Sequence, residues 1–255
     1  VPDYLMFLLD LALGAVLGVI GGMLGIGGGL IAIPAFGLLY GMDQQLAQGT
    51  ALLMILPNVL IGFLRYRQRN PIAWRVTAAM VAPAVVVTFV AARWSAGLDA
   101  ALLRKGFGVF LLILFAHHAG LLRWRRAPDA AVPAPAPPSD RYLPLVGALS
   151  GVMSGVFSIG GGLVVVPALV GIFRFTQTRA QGVALALVIP GSAVALATYA
   201  TEGHVRWSVG VPFALGGIAT VSYGVALAHH LPPRLLRALF GVMIFATAVT
   251  TLLQT

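Results

Sequence analysis

Ile26-Gly27-Gly28-Gly29-Leu30 and Ile159-Gly160-Gly161-Gly162-Leu163 are the same five residues, 133 positions apart, and each is followed four residues later by a proline, Pro34 or Pro167. Consecutive glycines break a helix and expose backbone N–H groups. The apolar runs that follow, 29–40 and 162–173, are too short to cross the ~30 Å hydrocarbon core of a bilayer as straight helices. A short helix starting at such a break turns its positive dipole end and its free N–H groups toward the break, which makes an anion site. Irregular backbone at membrane depth is tolerated only where it lines a cavity or is buried in protein. Gly27, Gly28, Gly29, Gly160, Gly161 and Gly162 are therefore substrate-binding candidates. The blander reading is a pair of tight turns that let helices pack closely.

Working outward, the same shift of 133 residues continues without gaps. Gly14, Gly18 and Gly22 fall on Gly147, Gly151 and Gly155, Gln44 on Gln177, and Ala47-Gln48-Gly49 on Ala180-Gln181-Gly182. Pro57 meets Pro190, Tyr66 meets Tyr199 and Trp74 meets Trp207. Between 14 and 76 there are 22 identities in 63 aligned positions. Apolar bias would match Leu, Ala and Val, but it would not align prolines, glutamines and tryptophans in one register. The chain is an internal duplication. It divides into a first transmembrane repeat (1–122), a Pro/Arg-rich linker (123–141) and a second repeat (142–255). PAPAPP at 133–138 makes the linker extended and semi-rigid, free to let the halves rock.

Composition sets the medium. Of 255 residues, 59% are hydrophobic and 9% charged, and mean hydropathy is +0.96. Soluble domains carry about 25% charged residues because something must face water. A soluble enzyme, a secreted domain and a disordered chain are excluded in favour of a polytopic, all-α membrane protein. The remaining runs, 5–24, 46–64, 75–93, 104–122, 142–159, 180–199, 207–228 and 235–253, read as membrane-length helices. The first lacks a basic leader and runs straight into the glycine segment, so it reads as a membrane helix and not a cleaved signal. There is no cysteine, so disulfides, thiolate metal sites and persulfide chemistry are excluded. No cofactor, metal site or nucleic-acid partner is expected.

The net charge of +9 resides in short loops. If each short segment and the run before it form a hairpin, each half crosses an odd number of times and the repeats are inverted. Twelve arginines then share one side: Arg65, Arg67, Arg69, Arg75, Arg123, Arg125, Arg126, Arg141, Arg174, Arg179, Arg234 and Arg237. The other side has four cations, Arg93, Arg104, Lys105 and Arg206. A single broken helix per half would give parallel repeats and a 9 to 7 split. The positive-inside rule favours inverted repeats, with both termini outside and the linker in the cytoplasm.

Neutral polar residues could replace part of an anion's hydration shell: Gln48 and Gln181 in equivalent positions, with Thr50, Asn58, Ser158 and Ser192. Interhelical hydrogen bonding is the alternative role. The glycine ladders at spacing four read as helix packing. Ionisable residues at depth are scarce. Asp10, His117 and His118 are weak candidates for proton coupling, placed shallowly enough to be interfacial. Arg65 and Arg93 flank helix ends and would snorkel. Glu202, His204, His229 and His230 read as loop residues. No catalytic residue is expected.

Two copies of I-G-G-G-L followed by proline, with Ala47-Gln48-Gly49-Thr50-Ala51-Leu52 after the first, resemble the sulfite exporter TauE/SafE family over nearly the whole chain. The second half departs at Val183, where the first has Thr50. The resemblance implies export of sulfite, an organosulfonate or a related small anion across the bacterial inner membrane. An anion leaving a cell that is negative inside gains about 2.3 kcal/mol per charge per 100 mV, so export could run on potential alone. The expected partners are the anion, the lipid bilayer and a homo-oligomer. Competing readings are a carrier for another small anion such as a carboxylate, an intramembrane hydrolase built on Ser150, Ser154 or Ser158, and a membrane subunit that transports nothing.

Overall fold

Each glycine triplet lies between one helix and a shorter one that starts at its last glycine. A computed structural model describes residues 3–24, 27–68, 71–72, 74–120 and 140–253. Among them the helices are α1 Asp3–Leu24, α2 Gly29–Tyr40, α3 Gln44–Arg67, α4 Trp74–Ala96 and α5 Ala100–His118, and after a 3₁₀ turn at Asp140–Tyr142, α6 Leu143–Phe157, α7 Gly162–Gly171, α8 Gln177–Thr201, α9 Trp207–His230 and α10 Pro233–Leu253. Side chains fix several starts: Asp43 accepts from Leu46 N–H at 2.8 Å, Asp99 from Leu102 N–H at 2.9 Å and Thr176 from Arg179 N–H at 3.3 Å. No strand occurs among the described residues. Residues 121–139, which take in most of the 123–141 linker with Arg123, Arg125, Arg126 and the proline run, lie outside them, as do Ile26 and Arg69.

Among the described residues, six helices are long and apolar enough to cross a membrane: α1, α3, α4, α5, α8 from Arg179 and α9 to Ala228. α2 and α7, at 12 and 10 residues, are the short segments expected from the sequence; they extend about 18 and 15 Å. α6 is shorter than its apolar run, 15 residues, because Ser158 adopts a left-handed conformation and stops it. α9 runs on through His229 and His230, where the sequence predicts a loop. Trp74, Trp94 and Trp207, at helix ends, are all more than half exposed, as an interfacial belt requires.

The glycine ladders set the packing. A Cβ on Gly14 would fall 2.3 Å from the Phe213 carbonyl oxygen, on Gly18 2.6 Å from Gly217 Cα, and on Gly22 2.3 Å from the Val221 oxygen. In the other half Gly147 meets the Met80 oxygen at 2.3 Å, Gly151 the Ala84 oxygen at 2.5 Å and Gly155 the Thr88 oxygen at 2.6 Å. Phe213, Gly217 and Val221 are Met80, Ala84 and Thr88 shifted by 133. So α1 lies on α9 and α6 on α4 in the same register, backbone to backbone. Each half's first helix is seated on the other half's fourth. The halves are interleaved, and the sequence halves cannot rock apart as two bodies without lifting these backbones off each other.

Contacts also give helix directions. Ascending numbers pair with ascending numbers between α1 and α9, between α3 and α9 (Thr50 and Leu53 at Gly210, Asn58 at Gly217), and between α4 and α8 (Thr88 at Gly191, Ser95 with Tyr199). Between α3 and α8 the order reverses: Gly49 lies against Tyr199, and Gly182 against Tyr66. α1, α3 and α9 therefore run one way and α4, α6 and α8 the other. Sequence counterparts fall in opposite sets. α2 doubles back on α1, since Gly28 lies against Gly21 while Tyr40 bonds Asp10.

Candidate functional site

The first triplet is conformationally glycine. Gly27 and Gly28 have φ of 70° and 87°, in the left-handed region that side chains rarely adopt. α2 begins there with no side-chain cap on its N-terminus. A Cβ on Gly29 would lie 3.9 Å from the Ser158 carbonyl oxygen, so the start of α2 abuts the chain break of the other half. Ser158 is fully buried at φ 55°. In the second triplet only Gly160 has positive φ, 67°. Gly161 is glycine for space: a Cβ would fall 1.7 Å from Ser150 Oγ. Its N–H donates to Ser154 Oγ at 2.8 Å. The counterpart of Ser154 is Gly21, so a hydroxyl occupies one helix start where the other is bare.

Neutral polar groups are buried on the helices that carry and pack against these breaks. Asn58 Nδ2 donates to the Gly27 carbonyl at 3.3 Å, and its Oδ1 has no partner among the described residues. Ser192 and Thr88 are buried with hydroxyls that have no partner there. Thr88 and Ser154 both face Gly191, the counterpart of Asn58.

Gln48 and Gln181 share a sequence position but not an environment. Gln48 is fully buried and Gln181 exposed. Gln48 Oε1 accepts from the Tyr199 hydroxyl at 2.9 Å, leaving its Nε2 without a partner among the described residues. Tyr199 is fully buried, 2.9 Å from Ser95 Oγ and 3.2 Å from the Gly155 carbonyl. Ser95 donates to the same carbonyl at 3.1 Å. This cluster ties α3, α4, α6 and α8 together. Thr50 is engaged elsewhere: its Oγ1 accepts from Arg206 N–H at 3.0 Å and holds the start of α9.

The three proton-coupling candidates do not come together. Asp10 is buried within the protein, 4% exposed, and accepts from the Tyr40 hydroxyl, because α2 folds its last residue back onto α1. His117 and His118 sit in the last turn of α5, with His118 edge-on to Phe240. Arg93 does more than snorkel: it lies 3.6 Å from Glu202, where α4 and α8 end side by side. An apolar groove of about 450 Å³, lined by Phe63, Trp74, Val81, Ile189 and Pro190, contains none of the candidate residues.

The sequence does not single out Tyr199, Ser95 or Thr88, which lie among these buried polar groups, while Ser154 already stands out by preceding the second glycine triplet. One signal existed for Tyr199, its alignment with Tyr66. Nothing in the register marks Ser95, whose counterpart is Ala228. No cluster of metal-ligating side chains occurs among the described residues.

A family model described as "Sulfite exporter TauE/SafE" matches residues 10–251. A "Probable membrane transporter protein" of Xylella fastidiosa strain Temecula1 is 26% identical over 232 residues, covering 86% of this chain and 85% of the relative. One of Methanocaldococcus jannaschii with the same description is 26% identical over 254 residues, covering 91% and 88%. No solved structure matches the chain significantly.

Proposed function

We propose a cargo and a route for this chain, which belongs to the sulfite exporter TauE/SafE family and is a multi-pass membrane transporter. The cargo is a small sulfur-containing anion, sulfite or an organosulfonate. It passes by alternating access through a buried site where α2 starts against the Ser158 turn. The observation that carries this reading is the pair of half-length helices, α2 and α7, that start at duplicated glycine breaks inside the protein, α2 with no side-chain cap and α7 with the Ser154 hydroxyl on its Gly161 N–H. Their N–H groups present positive potential without a cation. Thr88, Ser192 and Gln48 Nε2 are buried neutral donors with no partner among the described residues. No Arg or Lys is buried among the described residues. A site of neutral donors holds an anion loosely enough to release it.

The two halves are inverted repeats, 1–122 and 142–255, joined by a cytoplasmic linker, in the bacterial inner membrane with both termini outside. The opposite senses of sequence-equivalent helices support the inversion, and the arginine distribution supports the orientation. Because α1 is seated on α9 and α4 on α6, the bodies that move are these cross-half pairs with their neighbours.

The test is a flux panel in proteoliposomes: sulfite, sulfoacetate and a carboxylate of matched size. Selective flux of the sulfur anions is expected. Equal flux of the carboxylate would reduce the reading to a general small-anion carrier, and preference for a cation would overturn it.

A further inference from the structure

The apolar groove of about 450 Å³ opens on the outer surface where α3, α4 and α8 meet. Phe63, Thr77 and Ala186 are buried and form its floor, while Trp74, Ala78 and Ala82 are exposed along its rim. Phe63 and Trp74 meet edge to face with ring centroids 6.3 Å apart. From Trp74 to Ala82 the groove follows α4 for about 12 Å, close to the hydrocarbon depth of one leaflet. The corresponding place in the second half is filled. Ala78, Ala82 and Ala186 correspond to Val211, Leu215 and Leu53, and Leu53 Cδ1 lies 2.5 Å from where a Cβ on Gly210 would stand. The first half carries its bulk lower, with Phe63, Thr77 and Val81 at the positions of Leu196, Gly210 and Ala214, and leaves its rim to alanine.

The charge at the mouth of the groove has one sign. Arg75 is exposed, three and seven residues before Ala78 and Ala82 and so on their face of α4. Arg67 is exposed four residues beyond Phe63 on α3. The stretches 60–82 and 177–201 hold no Asp or Glu. Asp140 stands next to Arg141 ahead of α6, the helix that packs on a different face of α4, at Met80 and Ala84. We propose that the groove is a binding site for an anionic phospholipid, with one acyl chain lying between α3, α4 and α8 and the phosphate held by Arg67 and Arg75. A groove of leaflet depth accepts hydrocarbon, and Trp74 marks the headgroup level. Guanidinium groups bind phosphate through paired hydrogen bonds, and arginines beside a membrane helix attract anionic lipid. A second copy seated there by two-fold symmetry would bring its own arginines against these. Since α8 belongs to the second repeat, the bound chain bridges the two halves.

The test is quenching of tryptophan fluorescence by phospholipids brominated on their acyl chains. Trp94→Phe, Trp124→Phe and Trp207→Phe together leave Trp74 as the reporter in the groove. Trp74→Phe, Trp94→Phe and Trp124→Phe leave its counterpart, Trp207, as the control. In phosphatidylcholine vesicles with rising amounts of brominated phosphatidylglycerol, Trp74 should be half-quenched at a mole fraction about fivefold lower than Trp207. Brominated phosphatidylcholine should quench the two alike. Arg67→Gln with Arg75→Gln should remove the preference at Trp74. Ala78→Val with Ala82→Leu, which places the residues of the second half on the rim, should remove it with both arginines present. Size-exclusion profiles in detergent report folding in each case, and the comparison of Trp74 with Trp207 needs neither pair of substitutions. Equal behaviour of Trp74 and Trp207 would overturn the proposal, as would a preference that survives either pair. So would a Trp74 that neither brominated lipid reaches, since a protein partner would then cover the groove. None of these readouts involves transport, so the lipid site stands or falls apart from the cargo.

Discussion

Gly161 and Gly162 are chain neighbours with opposite demands on space. A methyl at Gly161 would collide with the Ser150 backbone, 2.5 Å from its Cα, whereas at Gly162 the nearest atom is at 3.4 Å. Gly161→Ala should lower stability by about 1–3 kcal/mol, seen as a lower Tm in detergent. Gly162→Ala should leave Tm nearly unchanged and reduce flux, because it adds bulk at the first turn of α7 without displacing a neighbour. Unchanged flux in a well-folded Gly162→Ala protein would count against that helix start as part of the site. Thr50→Val should cost about 1 kcal/mol through the lost Arg206 bond, with little steric effect, since Val183 stands at the equivalent position. The glycines were legible because their conformational freedom is written in one residue type. The Tyr199 cluster was not. Its partners lie 104 and 151 residues away, and only the fold brings them to one hydroxyl. Nor could the register tell that Gln48 is buried and Gln181 exposed, since that depends on which helices the fold packs over each.

At the scale of helices, spacing-four glycines announced a close-packed face but not its partner. α1 on α9 and α6 on α4 cross between halves, and a periodicity within one helix carries no information about which neighbour fills its groove. The ladder makes a directional prediction. Gly151→Val places side-chain carbon into the Ala84 carbonyl and the Val87 side chain, and should destabilise by about 1–3 kcal/mol or more, with aggregation on size exclusion in detergent. Gly62→Ala, on α3 with nothing within 4 Å, should be neutral or stabilising by up to about 1 kcal/mol. A ladder variant as stable as Gly62→Ala would show that the seats are not close-packed. The short helices were legible from length, because a run bounded by glycines cannot grow. α6 is shorter than its apolar run predicts because that run continues through Ile159, while the left-handed turn at Ser158 ends the helix earlier.

At the scale of the molecule, charge and depth decide the driving force. By sequence position the carboxylates Asp3, Asp43, Asp99 and Glu202 share the end of Arg93, Arg104, Lys105 and Arg206 and balance them, so the net positive charge belongs to the opposite, arginine-rich end. Asp10 is the one carboxylate buried in a membrane-length helix among the described residues. Its bond to Tyr40 fastens α2 to α1 and keeps it away from the glycine starts. Asp10→Asn retains an acceptor for Tyr40, and should preserve potential-driven efflux within about threefold. A loss of efflux together with its pH dependence would make Asp10 a proton carrier. The most direct test of the central claim is efflux of sulfite and sulfoacetate from proteoliposomes while a potassium gradient clamps the membrane potential. Uncoupled anion export predicts efflux that rises as the interior is made negative and is indifferent to an imposed pH gradient. Efflux that ignores the potential and follows the pH gradient would contradict it.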